Sequence, residues 1–165
     1  MAMDLKKAVR DPWVWGQTLL MLGILIGAPL VPRHINLGDA DFMLNRVDPP
    51  WIRALGGISL AAGVGMLIWG VHSLGRNITP GAEPLATGEL VTSGAYGHVR
   101  HPIYYAVVLV LTGYTLAWSN LPLAVILGGI ALLYFDAKAR AEEKWLVKRF
   151  PEYESYARRV RRRVL

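Results

Sequence analysis

Three stretches of this chain contain no Asp, Glu, Lys or Arg: residues 12–32, 54–75 and 102–135. A helix that crosses a bilayer needs roughly 20 consecutive, mostly apolar residues, and each of the first two stretches supplies one crossing. The third, 34 residues long, is too long for a single crossing. It breaks at Ser119-Asn120-Leu121-Pro122, where the polar pair suits a tight turn and the proline suits a helix start. The pattern predicts an all-α integral membrane protein with four spans, near residues 14–31, 52–74, 102–118 and 122–136. The last two form a C-terminal helical hairpin. A soluble fold would have to bury all these runs in one small core, and only 18% of residues are charged, against roughly a quarter in soluble domains. The 165 residues are expected to form one domain.

Charge placement orients the spans. With four crossings, the N-terminus, the loop near 76–101 and the C-terminus lie on one side. That side carries 15 of the 18 Lys and Arg, and the opposite side only Arg33, Arg46 and Arg53. Positive charge accumulates in the cytoplasm, so both termini are expected there, in a prokaryotic inner membrane. Residues 138–165 hold ten basic and four acidic residues, and the excess basicity belongs to this tail. Beside membrane spans, such a tail is expected to meet anionic lipid headgroups rather than nucleic acid. Lys6, Lys7 and Arg10 precede the first run, but that run is span-length and lacks a small-residue cleavage site. It therefore reads as an anchor rather than a cleaved signal. Without cysteine, disulfides, thiolate chemistry and cysteine-ligated metals are excluded.

Within the spans, Gly57, Ala61 and Gly65 recur every four residues, a spacing that lets helix backbones approach closely in lipid. A polar segment with Asp39, Asp41, Asp48 and Pro49-Pro50 follows the first span, and Trp51 suits an interfacial anchor. His72 reads as an interfacial side chain. Residues 75–101 form a long cytoplasmic loop with glycines at 75, 81, 88, 94 and 97 and prolines at 80 and 84. Loops of this length on a rigid scaffold often carry function. No GxGxxG or Walker sequence is present to signal a common nucleotide fold. Nothing stops the fourth helix at residue 136, and strong helix formers continue to Pro151. A helix over 122–149 would be about 42 Å long and must protrude from a hydrocarbon core of about 30 Å. Lys138 and Glu142, one turn apart, are expected to pair on its exposed face. Finally Tyr153, Tyr156, Ala157, Val160 and Val164 fall on one helical stripe among arginines. The tail therefore predicts a basic amphipathic helix lying in the headgroup region.

The polar groups able to do chemistry gather at one level. Arg100 and His101 enter the membrane surface where Tyr104 and Tyr105 begin the third span, and a hairpin returns Glu142 and Glu143 to that height. No Ser/His/Asp triad can be assembled from the four histidines, and no HxxxH-type metal spacing occurs. No metal is expected.

The run GAYGHVRHPIYY, followed across the hairpin by EEKWLVKRFPEYESY, resembles the isoprenylcysteine carboxyl methyltransferase family and its wider phospholipid-methyltransferase relatives. The resemblance covers about residues 90–156. It implies S-adenosylmethionine as cofactor, held on the cytoplasmic side. Leu90, Val91, Tyr96, His101, Pro102, Ile103, Tyr104 and Glu142 would bind it, with Arg100, Glu142 and Glu143 as the catalytic set. Lys138 stands where the family has a carboxylate-binding arginine, and is expected to bind substrate with the charge but not the bidentate geometry. Pro151 replaces the usual glycine after Phe150, and Gly88 stands where a polar residue is usual.

Such an enzyme would transfer a methyl group by in-line displacement at the sulfonium. An ionised carboxylate acceptor needs only alignment and desolvation, whereas an amine or thiol would need a base, and no dedicated base is evident. This favours a carboxylate, as in an isoprenylcysteine, or another intrinsically nucleophilic, lipid-soluble acceptor. Two other readings stay open: a sterol-reductase type of membrane enzyme using a nicotinamide dinucleotide, and a non-enzymatic membrane adaptor.

Overall fold

The computed structural model describes residues 10–31, 50–75, 88–118 and 121–164. Their helices, in chain order, are α1 (Pro12–Leu30), α2 (Pro50–Leu74), α3 (Pro102–Trp118), α4 (Leu121–Arg149) and α5 (Tyr153–Arg159), with a 3₁₀ turn at Gly94–Gly97 before α3. No strand occurs among the described residues. Proline marks the helix starts, since its missing N–H has no helical partner to lose there. Pro12 opens α1 behind Asp11, whose carboxylate accepts from Trp13 N at 2.8 Å. Pro50 and Pro102 open α2 and α3. Gly75, with φ of 56°, follows the last residue of α2, the left-handed position that favours glycine. The turn expected at Ser119-Asn120, the aspartates at 39, 41 and 48, and loop residues 76–87 lie outside the described residues.

Three helices, α1, α2 and α4, are long and apolar enough to cross a membrane, and α3 is a shorter apolar helix. Large apolar side chains face outward along them, among them Leu19, Ile58, Ile68 and Leu133. An apolar exterior is what a bilayer solvent requires, and this is a membrane protein. As expected, α4 runs unbroken past its apolar part to Arg149.

Helix α3 is the centre of the bundle and packs on α1, α2 and α4. Its contact with α2 is made backbone to backbone. A Cβ placed on Gly113 would lie 2.6 Å from Leu60 N and 2.7 Å from Gly56 O. One on Gly63 would lie 2.9 Å from Val110 N, and Gly70 abuts Ile103. Ser59 Oγ donates to Leu109 O at 3.0 Å across the same seam. The seam is thus Gly56, Gly63 and Gly70, spaced by seven, and corrects the expectation for Gly57, Ala61 and Gly65. Gly57 and Gly65 meet nothing within 4 Å and Ala61 is exposed. Both sets are small, but only the seven-residue repeat stays in line along a left-handed crossing. The core between α1, α3 and α4 is Ile24, Val108, Leu111, Ala131 and Phe135.

The C-terminus departs from expectation. Helix α5 spans seven residues, and the chain beyond Arg159 leaves the helix. Arg100 N and His101 N each donate at 2.9 Å, to Arg162 O and Arg163 O, so the tail becomes a strap beside the start of α3. Tyr153, Tyr156, Val160 and Val164 are buried, the first three packing with Leu90, Leu146, Phe150 and Ala157. The apolar stripe therefore closes the protein's own core instead of lying on headgroups. Unpaired N–H groups ahead of Pro102, which itself offers none, gain partners from an extended tail that a helix would withhold.

Candidate active site

The site forms where the start of α3 meets the protruding end of α4. Glu142 and Glu143 are adjacent on α4, so about 100° of helix rotation separates their side chains, and they serve different surroundings. Tyr104 Oη donates to Glu142 Oε2 at 2.7 Å, and His101 Nδ1 lies 3.6 Å from the same oxygen. Glu143 meets Arg100 Nε at 2.9 Å, His101 Nε2 at 3.3 Å and Arg163 Nε at 3.0 Å. The imidazole thus stands between the two carboxylates, buried, with its ring stacked on Tyr104 at 5.3 Å between centroids.

Arg100 does more than pair with Glu143. Its Nη1 donates to the carbonyls of Ala157 and Val160, both at 3.2 Å, so it caps the C-terminal end of α5, where a cation is favoured. Arg163, reaching back from the strap, also bonds Asp136 at 3.2 Å. Burial pushes the Glu143 carboxyl up, but His101, Arg100 and Arg163 outweigh it and hold the group at about 2. Burial and then the charge of Glu142 push the Tyr96 hydroxyl well above its usual range, so it stays a neutral donor. Tyr156 Oη donates to Tyr96 O at 2.7 Å and fixes that loop on α5.

In front of this cluster lies a cavity of about 520 Å³, within the range typical of small-molecule sites. Of the residues singled out from sequence, Leu90, Val91, Tyr96, Arg100, His101, Ile103, Tyr104, Lys138 and Glu142 line it. Pro102 is buried at the start of α3 and Glu143 sits behind the wall, and neither is among the lining residues. Lys138 is only 1% exposed, which corrects its expected place on an outer face. Its ammonium lies 5.2 Å above the Tyr104 ring and bonds Gln17 Oε1. Further apolar lining comes from α1 and α2, through Met21, Leu67, Val71 and Leu74, and from Val107, Phe135, Leu146 and Phe150.

Sequence reasoning missed Gln17, Phe135, Arg163 and the pairing of the strap. Gln17 offered a signal, being the only amide or ionisable side chain in α1 and therefore costly to leave facing lipid. Arg163 offered none, standing among four similar arginines in the tail.

A family described as phospholipid methyltransferase matches residues 51–153. Among curated proteins, the chain is 33% identical over 119 residues to the "Nickel-cobalt-cadmium resistance protein NccN" of Alcaligenes xylosoxydans xylosoxydans, covering 68% of this chain and 51% of that protein. It is 34% identical over 141 residues to the "Cobalt-zinc-cadmium resistance protein CzcN" of Cupriavidus metallidurans, covering 82% of this chain and 61% of that one. The chain therefore spans about half to three-fifths of the length of these relatives.

Proposed function

The chain belongs to the phospholipid methyltransferase family, and on that premise we propose that it transfers a methyl group from S-adenosylmethionine to a lipid-soluble acceptor. The observation that carries the reading is the convergence of Glu142, Tyr104 and His101 on one wall of the 520 Å³ cavity. The chemistry of the lining suits this cofactor. A carboxylate, Glu142, is available to its ammonium group, aromatic faces at Tyr96 and Tyr104 to a cationic sulfonium, and apolar Leu90, Val91 and Leu146 to its base. When bound, the cofactor supplies an electrophilic methyl group.

The chain's own residues then have separable tasks. Tyr104 and His101 orient the Glu142 carboxylate. The α1 and α2 side chains Met21, Leu67 and Val71 keep water from the cavity and offer a surface to an acceptor's hydrocarbon. Lys138, charged in an otherwise apolar quarter, attracts an acceptor carboxylate, while Gln17 and the Tyr104 ring hold it in place. Arg100 and Glu143 act as positioning residues, locking His101 and the strap. An isoprenylcysteine-like carboxylate suits this arrangement, because it arrives ionised and needs no base.

Topology follows the same reading. We take α3, roughly 26 Å long at 17 residues, as a fourth crossing antiparallel to α4, with both termini and the site in the cytoplasm, as the basic residues require. The names of the two relatives speak of metal resistance. Among the described residues no three His, Asp or Glu side chains gather to hold a metal ion. Incubating purified protein with radiolabelled S-adenosylmethionine and prenylcysteine analogues, phosphatidylethanolamine and fatty acids tests the proposal. Label should enter a lipid-soluble carboxylate, and its appearance in none of these fractions would refute the acceptor class.

A further inference from the structure

Behind the active-site wall lies a second concavity, of about 400 Å³, lined by Leu132, Leu133, Asp136, Arg161, Arg163 and Val164 and sharing Arg100 with the first. Its composition is divided. Leu132 and Leu133 belong to the apolar part of α4, and Leu133 is 72% exposed. One turn further along begins a concentration of arginines. Arg140 and Arg163 bond Asp136, while Arg163 and Arg100 bond Glu143, so positive charge exceeds negative around the cleft. Arg163 spends Nε and Nη1 on Glu143 and Asp136, and Arg100 spends Nε on Glu143 and Nη1 on the Ala157 and Val160 carbonyls, so each guanidinium keeps further N–H donors. Arg161 is exposed and, among the described residues, enters no ion pair or hydrogen bond, although it lines the cleft.

Below the arginines, Ile126, Ile130 and Leu133 lie at i, i+4 and i+7 on α4, all exposed. This stripe leads from the hydrocarbon level of the helix up to the basic cleft. An apolar track ending in arginines complements one kind of molecule, an amphiphile with a hydrocarbon chain and an anionic head. Arginine forks match phosphate oxygens especially well.

We propose that this cleft is a binding site for an anionic phospholipid, its phosphate on Arg161 with the spare donors of Arg163 and Arg100, and an acyl chain along Ile126, Ile130 and Leu133. The site shares Arg100 with the methyl-transfer cavity, but its assignment does not depend on that reading. It has a structural consequence. Arg163 also fastens the strap to Glu143, so an anion in the cleft adds a further tie to the element that supports His101.

The test uses the full chain purified in detergent. It is titrated with phosphatidylglycerol, with phosphatidylcholine of the same acyl chains, and with inorganic phosphate, and bound lipid and the thermal midpoint are read by native mass spectrometry and thermal unfolding. Phosphatidylglycerol should bind saturably and raise the midpoint, with phosphatidylcholine and inorganic phosphate far weaker. Arg161→Glu should weaken phosphatidylglycerol binding by about tenfold or more, the scale of one lost charge-assisted hydrogen bond. Arg158→Glu makes the same charge change on an exposed residue of α5, outside the cleft, and should alter binding little. Equal binding of the two lipids, an equal effect of inorganic phosphate, or equal losses from the two substitutions would overturn the proposal.

Discussion

Glu142 and Glu143 are neighbours in sequence, yet the fold gives them opposite tasks. Glu142 looks into the cavity and takes the Tyr104 hydroxyl, whereas Glu143 is committed to Arg100, His101 and Arg163. Glu142→Gln should therefore remove cofactor binding while leaving the thermal midpoint nearly unchanged. Glu143→Gln should destabilise by about 2 kcal/mol, less than the full cost of breaking a buried pair because the amide oxygen still accepts. The pH dependence of that second effect has a fixed sign. The Glu143 carboxyl falls from 4.5 to about 2 on folding, so its stabilisation is fully present above 4.5 and is lost as pH falls towards 2. The difference in midpoint between wild type and Glu143→Gln, at a constant scan rate, should be flat at neutral pH and shrink below 4.5. A difference that grows on acidification would contradict the ion cluster.

Among the elements, the seam between α2 and α3 is the most exacting, since at Gly56, Gly63 and Gly113 a Cβ would meet backbone of the facing helix at 3.0 Å or less. Gly113→Leu has no room, with backbone of α2 as close as 2.6 Å to any added Cβ, and should destabilise by about 3 kcal/mol or prevent folding. Gly57→Leu, on the open side of α2, should stay within about 0.5 kcal/mol. Thermal unfolding of the two proteins in detergent compares them directly. These elements also show where sequence reading works. The positions of the apolar helices followed from uncharged runs and prolines, because exclusion of charge from hydrocarbon is a local rule. The packing face of α2 did not, since Gly57 and Gly56 are equally small and only the partner helix chooses between them. The C-terminal strap was hidden for a similar reason. The periodicity from Tyr153 to Val164 fits a helix, but the backbone donors that Arg100 and His101 present outcompete the last turn, and they lie some 60 residues away in sequence. At the site, His101, Tyr104 and Glu142 were legible through their motif and the hairpin, whereas Gln17 enters from α1, which no local pattern ties to residue 138.

At the scale of the molecule, the arrangement divides the protein into an apolar bundle and a basic end that holds the proposed site. The chain lacks cysteine, so single cysteines report topology without interference. Ser93→Cys should resist an impermeant maleimide applied outside intact cells, and Arg46→Cys should react. The reverse pattern would invert the orientation argued from charge. Independently of orientation, the cavity between α3, α4 and the residue 88–91 segment is proposed to receive S-adenosylmethionine against Glu142. The most direct measurement is calorimetric titration of the purified protein with S-adenosylhomocysteine and, separately, with NADPH. Saturable binding of the first alone, lost by at least about tenfold in folded Glu142→Gln, is the predicted result. Binding of NADPH in its place, or undiminished S-adenosylhomocysteine binding by Glu142→Gln, would contradict the account.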